Sequence, residues 1–321
     1  MTSRPARRPT RRLAIWLVAT AAVLTAPSPV GASDESTSSG GPVGWVVSPD
    51  RAVELADRSQ ASVLDARSRS KWREEHVEGA AHVDWQQFTP DTPSRRGVLL
   101  DDDGTLEKRL RALGVSSGEP VLVVGAADDG WGRAGRIVWM LRTLGHEKAA
   151  WVDGGHGALV EAGLEVSKNE PEVETGDFTV ERRDDWTIDR SRLRQIYDRE
   201  DVLLIDTRQR REYLGATPYG ESRGGHIPGA AHLHFEELLG PDGRLLDESA
   251  IQEKLADIGA TEDTRIVTYC TGGVRSAWVA SVLVELGYDR VRNYAGSTWE
   301  WSAGDPERFP LETGPSGETG K

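Results

Sequence analysis

The chain has 321 residues, 37% of them apolar, with 52 acidic side chains against 39 basic ones and a single cysteine. That length suits about two domains, each able to bury a core of its own. The acidic balance argues against a general grip on nucleic acid or anionic lipid. One thiol excludes an intramolecular disulfide, so Cys270 is structural, reactive or paired between chains.

In chain order, Arg4, Arg7, Arg8, Arg11 and Arg12 precede an uncharged run from Leu13 to Ala26, too short to span a bilayer comfortably. With the small residues Val30-Gly31-Ala32 these form the three parts of a secretory signal. Residues 1–32 are therefore read as a signal peptide, cleaved after Ala32. The mature protein is expected outside the cytoplasm, secreted or periplasmic, with no stable membrane insertion after cleavage. An uncleaved anchor helix is the alternative, and Arg11-Arg12 leaves the general and twin-arginine export routes both open. Residues 33–44 are small and polar and read as a flexible leader.

From there the chain repeats itself. Val63-Leu64-Asp65-Ala66-Arg67 recurs as Leu204-Ile205-Asp206-Thr207-Arg208, and His76-Val77-Glu78-Gly79-Ala80-Ala81-His82 recurs as His226-Ile227-Pro228-Gly229-Ala230-Ala231-His232. Leu144-Gly145 with Asp153-Gly154 matches Leu286-Gly287 with Ala295-Gly296. Four matches in one order indicate a duplicated domain, because the period is far too long for a solenoid. In each copy continuous apolar strands (SVLDA and VLVVG; VLLID and RIVTY) alternate with helical stretches (GRIVWMLRTLG; SAWVASVLVELG). That alternation predicts an α/β fold, a parallel sheet covered on both faces. The first copy is placed at 45–166, a charged linker at 167–177, the second copy at 178–314 and a tail at 315–321.

In the second copy the strand Arg265 to Tyr269 runs directly into Cys270-Thr271-Gly272-Gly273-Val274-Arg275, with a helix expected from about Ser276. Ligands of such sheets bind at the carboxyl ends of strands. A thiol there faces free backbone N–H groups and the positive end of a helix dipole, which the two glycines allow to converge. Lowering a thiol pKa by about two units takes roughly 2.7 kcal/mol. A helix terminus supplies up to about 2 of these, and N–H donors with Arg275 can supply the rest. The loop can hold a thiolate.

Cys270-Thr271-Gly272-Gly273-Val274-Arg275-Ser276, together with Asp206-Thr207-Arg208 and Gly225-His226-Ile227-Pro228-Gly229-Ala230, resembles the active-site loop and two flanking signatures of the rhodanese family. The resemblance runs from about Trp45 to Phe309. It implies two rhodanese-like domains, each with a five-stranded parallel sheet, the second domain catalytic and the first a silent copy that helps form the cleft. The matching loop of the first copy, from Gly125 to Arg133, has Gly125 where the thiol would sit, and its Asp128-Asp129 pair reads as solvated acid.

By this resemblance Cys270 is the nucleophile and Thr271, Gly272, Gly273, Val274, Arg275 and Ser276 form the substrate-binding loop, with Arg275 serving donor anions. Many relatives carry an arginine where this chain has Glu212 before Tyr213-Leu214-Gly215, so Arg211 or Arg223 is the expected substitute in anion binding. Asp206 and Arg208 read as a structural ion pair, His76 and His226 as packing residues, and Trp299 and Trp301 as closing the interface between the copies. The implied activity is transfer of sulfane sulfur from thiosulfate or 3-mercaptopyruvate to cyanide or a thiol through a persulfide. It needs no metal or organic cofactor and no nucleic acid partner. Two rivals stay open: a phosphatase or arsenate reductase of the related loop type, whose loop is one residue longer, and a persulfide carrier without turnover.

Overall fold

A computed structural model describes residues 43–58, 61–127 and 130–314. The expected signal at 1–32, nearly all of the leader, the tail from 315 and the Asp128-Asp129 pair lie outside the described residues. No helix among the described residues is long and apolar enough to cross a membrane.

The first copy contains β1 (Val46–Val47), α1 (Pro49–Arg58), β2 (Ser62–Asp65), α2 (Arg69–Glu74), β3 (His76–Val77), β4 (Ala81–His82) and α3 (Asp103–Ala112). It continues with β5 (Val121–Val124), α4 (Arg133–Thr143), β6 (Ala149–Val152), α5 (Gly155–Glu161) and β7 (Val166–Ser167). The second copy contains α6 (Arg190–Arg194), β8 (Val202–Asp206), α7 (Arg210–Tyr213), β9 (Ala231–His232), α8 (Glu248–Asp257), β10 (Arg265–Tyr269), α9 (Arg275–Glu285), β11 (Val291–Asn293) and α10 (Ser297–Ser302).

The first sheet has five parallel strands in the order β1-β6-β5-β2-β4. Its central strand β5, Val-Leu-Val-Val, is buried at every position, as β-branched side chains covered on both faces require. The second sheet repeats this order with four strands, β11-β10-β8-β9. Where the first copy has β1, the second has a one-residue parallel bridge, Thr187 to Asn293. The fold class is α/β as read from sequence, and the difference from five strands is confined to that edge, where pairing stops after one residue. The antiparallel β3-β7 pair also shrinks in the second copy, to a bridge between His226 and Glu312.

The tether between copies differs from the expected linker. Its first residue, Ser167, closes β7, and the chain stays pinned to the first copy well beyond residue 177. Gly176 and Phe178 donate to the Arg111 and Val115 carbonyls, Glu181 to Leu144 and Arg183 to Thr143. Phe178 is buried there against His146.

Helices α4 and α9 are buried almost all round, nearly every residue of both being covered down to Leu141 and Leu283. A helix of this kind has no solvent face: one side covers its own sheet and the other meets the opposite copy. The two pack so closely that a Cβ on Gly135 would lie 2.6 Å from Trp278 Cα. Trp151 of β6 donates its indole N–H to Ser281 of α9 at 2.8 Å. A single core cluster therefore runs from Leu64, Ile137 and Trp139 through to Ile205, Ile266 and Val282.

Candidate active site

β10 ends in the centre of the second sheet, and Cys270 follows it directly, 1% exposed. The chain then curls through Thr271 to Val274 and enters α9 at Arg275. Gly273 makes the curl possible with φ +74, a conformation an L side chain rarely takes, and its N–H points at Cys270 Sγ at 3.1 Å. Gly272 lies under the Trp299 ring, where any Cβ would collide with Cζ3 at 2.2 Å. Ser276 Oγ stands 3.5 Å from Sγ and 2.7 Å from Asn293 Oδ1, so its single proton lies between two acceptors. Val274 is the loop residue that opens to a cleft of about 450 Å³, shared with Arg69, His82, Trp131 and Arg133.

Behind the sulfur, Ser297 fixes the peptide that carries it. Its hydroxyl accepts from the Cys270 N–H at 3.1 Å and donates to the Tyr294 carbonyl at 2.7 Å. Ser297 itself sits at φ +50, a strained conformation for a residue with a Cβ, held here by those two bonds.

Arg275 is 2% exposed and does not face outward. Its Nη1 and Nη2 form a bidentate pair with Glu212 of α7 at 2.7 and 2.8 Å, and Nη2 also donates to Thr271 Oγ1 at 2.8 Å. The rings of Trp131 and Tyr219 lie 5.2 and 5.8 Å from the guanidinium carbon. A second carboxylate, Glu221, is also buried and reaches Thr271 Oγ1 at 3.5 Å. Arg275, expected to serve donor anions, has its guanidinium fork occupied by Glu212.

The charges act on one another. Burial pushes the Cys270 thiol up, but Arg275, the Ser276 hydroxyl and the N–H groups of Ser276 and Gly272 outweigh it and hold the thiol below its ordinary value. Burial likewise pushes Glu212 up, and Arg275 with Thr271 more than reverses this, keeping the carboxylate ionised.

The flanking residues divide. Arg208 forks onto Asp206, with Nη2 to Oδ2 at 2.6 Å, and reaches the Gly225 carbonyl at 2.8 Å; Arg67 and Asp65 do the same in the copy without a thiol. His226 stacks on Tyr213 at 3.7 Å and His76 on Trp72 at 4.5 Å, each bonded to a backbone carbonyl. Arg211 is exposed and bonds to Gln209. Arg223 is tied to the carbonyls of Ser302, Trp301, Gly304 and Phe309. Of the two arginines expected to substitute in anion binding, Arg211 is a surface residue and Arg223 staples α10. Both tryptophans are on α10, the helix that packs against residues 93–95 of the first copy. Trp299 covers the loop at Gly272, and Trp301 lies in the second copy's own core beside Phe309 and Tyr294. Sequence reasoning missed Ser297 and Tyr219, which no local pattern marks. It noticed Glu212 only as a departure, although an acid replacing a base beside a loop arginine is itself a sign of an ion pair.

Two stretches, residues 48–162 and 189–304, match the model of the rhodanese-like domain. The chain is 31% identical over 267 residues to a thiosulfate sulfurtransferase of Azotobacter vinelandii, covering 83% of this chain and 96% of that protein. It is 32% identical over 251 residues to a probable 3-mercaptopyruvate sulfurtransferase of Pseudomonas aeruginosa, covering 76% and 86%. Among solved structures, a variant of EanB in complex with ergothioneine superposes with a TM-score of 0.75 at 23% identity, over 84% of this chain and 70% of that one.

Proposed function

The chain belongs to the rhodanese family and is a sulfurtransferase, and from that premise we propose that it carries sulfane sulfur as a persulfide on Cys270. The donor is thiosulfate or 3-mercaptopyruvate, and the acceptor is cyanide or a thiol. The observation that carries this reading is the buried thiol at the end of β10, held below its ordinary pKa with the Gly273 N–H aimed at the sulfur.

The thiolate attacks the outer sulfur of the donor, forming a new S–S bond. With thiosulfate the old S–S bond breaks and sulfite leaves with the electron pair. The acceptor then attacks the outer persulfide sulfur, and Cys270 departs as thiolate, so no external oxidant or reductant enters the cycle. The terminal sulfur of the persulfide is anionic, and the loop N–H groups that favour the thiolate suit it equally. Donors reach the loop through the cleft at Val274, where Arg69 and Arg133 of the first copy supply positive charge. A phosphate or arsenate oxyanion would need the Arg275 fork that Glu212 occupies.

Intact-mass measurement after thiosulfate treatment tests the reading. One sulfur should be added to the wild-type protein and none to Cys270→Ser, whose hydroxyl cannot form a persulfide, and the variant should transfer no sulfur to cyanide. Sulfur transfer by a folded Cys270→Ser protein would remove Cys270 from the mechanism. Competition between thiosulfate and 3-mercaptopyruvate then ranks the donors.

A further inference from the structure

Arg136 lies on α4, in the copy that has no thiol, and is completely buried. Its guanidinium crosses the interface between copies. Nη1 donates to the Gly273 carbonyl at 3.3 Å and Nη2 to the Gly97 carbonyl at 2.6 Å. The rings of Trp139 and Trp85 lie 4.5 and 5.7 Å away, and Nε–H has no partner. Among the described residues no carboxylate pairs with it.

A buried cation without a counter-ion is costly, by several kcal/mol. Two carbonyls and two aromatic faces recover part of that cost, yet an all-apolar side chain at this place would incur none of it. The carbonyl that receives Arg136 belongs to Gly273, whose N–H, in the preceding peptide unit, is aimed at Cys270 Sγ. Burial pushes the guanidinium down to about 9, and the charge of Cys270 is the influence that opposes it. The group is still a cation at neutral pH.

We propose that Arg136 is the rear counter-charge of Cys270: the copy without a nucleophile supplies a buried cation that favours the thiolate and, on the reading above, the persulfide anion. It touches the loop only at the Gly273 carbonyl, one peptide unit beyond the N–H that meets Sγ, and is a positioning residue. The other groups facing the thiol are Arg275 and the Ser276 hydroxyl of α9 and the N–H groups of Gly272, Gly273 and Ser276, with Glu212 of α7 and Glu221 from the loop after it offsetting Arg275. Arg275, first among the influences that lower the thiol, is paired with a carboxylate, whereas Arg136 has none among the described residues.

The test is the pH dependence of Cys270 alkylation by iodoacetamide, a neutral reagent, in the full chain. Arg136→Gln should raise the midpoint by about one unit, a tenfold loss of thiolate at a fixed pH below it, and Arg136→Lys should restore most of the shift. An unchanged midpoint in folded Arg136→Gln would overturn the proposal and leave Arg136 a packing clamp. A second measurement needs no change at Arg136. Its Nε–H resonance should move with the thiol midpoint in the wild-type protein and stay flat in Cys270→Ser, whereas a resonance flat in both would overturn the proposal equally. Intact mass after thiosulfate separates this from the functional reading, since a shifted midpoint without sulfur uptake would sink the persulfide while leaving the counter-charge in place.

Discussion

Arg275 does two things that oppose one another: it lowers the thiol, and it is itself neutralised by the bidentate Glu212. Replacing Glu212 by Gln keeps the shape and removes the negative charge, so the potential at the loop becomes more positive. Two effects of known sign follow. The thiol midpoint should fall further, and an anionic donor should gain a charge-assisted contact of about 1.5 to 3 kcal/mol, a tenfold to hundredfold gain in binding. Thiosulfate KM should therefore drop at least tenfold in Glu212→Gln; an unchanged KM would mean that donors never reach Arg275. The reverse change, Arg275→Ala, should raise the alkylation midpoint. It should also lose about 3 to 5 kcal/mol in denaturant unfolding, since Glu212 is left buried and unpaired. The loop could be read from sequence because its chemistry is local: a strand, a thiol, two glycines and an arginine within a few positions. Arg136 could not, because its meaning lies in a carbonyl of the other copy, and an arginine inside an apolar helix run has no periodicity that announces where its head goes.

Among the elements, the strands and the two long helices were legible because their apolar runs are set by burial on both faces. The short edge pieces were not. Thr187 and the chain around Glu312 pair for one residue only, too little to imprint an alternating pattern. The linker at 167–177 lies between the two matched stretches, but its attachment to the first copy through Gly176, Phe178 and Arg183 was not legible, being made mainly by backbone bonds that any sequence can make. The α4–α9 contact went unread, because burial of both helices on the side away from their own sheets shows only in the packing. Gly135 is what that contact demands most. A Cβ there would meet Trp278 Cα, Cβ and Cδ1, all under 3.0 Å, and a backbone atom cannot swing aside. Gly135→Ala should thus cost about 1 to 3 kcal/mol or more as overpacking, against the gain of several tenths expected of Ala in an open helix. Urea denaturation reads the sign: stabilisation would mean that the helices do not approach this closely.

For the molecule as a whole, duplication suggests two domains that could unfold separately, whereas the packing argues for one cooperative unit. The main core cluster contains residues of both sheets and of both long helices. The N–H groups of Trp45 and Val46 in the first copy are bonded to Glu285 at the end of α9, at 2.6 and 3.0 Å. The thiol loop is braced from behind by Arg136 and so cannot keep its shape once the first copy opens. A probe in one copy should consequently report damage done in the other. Leu122, at the centre of β5 and 1% exposed, packs in a cluster made only of first-copy residues. Leu122→Ala leaves a cavity there and should cost about 2 to 5 kcal/mol. In a single cooperative transition, the urea midpoint for exposure of the Cys270 thiol should fall by as much as the midpoint followed by circular dichroism. If thiol exposure in Leu122→Ala kept its wild-type midpoint while circular dichroism split into two steps, the copies would be independent domains. The first copy would then be dispensable to the loop that Arg136 braces in the folded state.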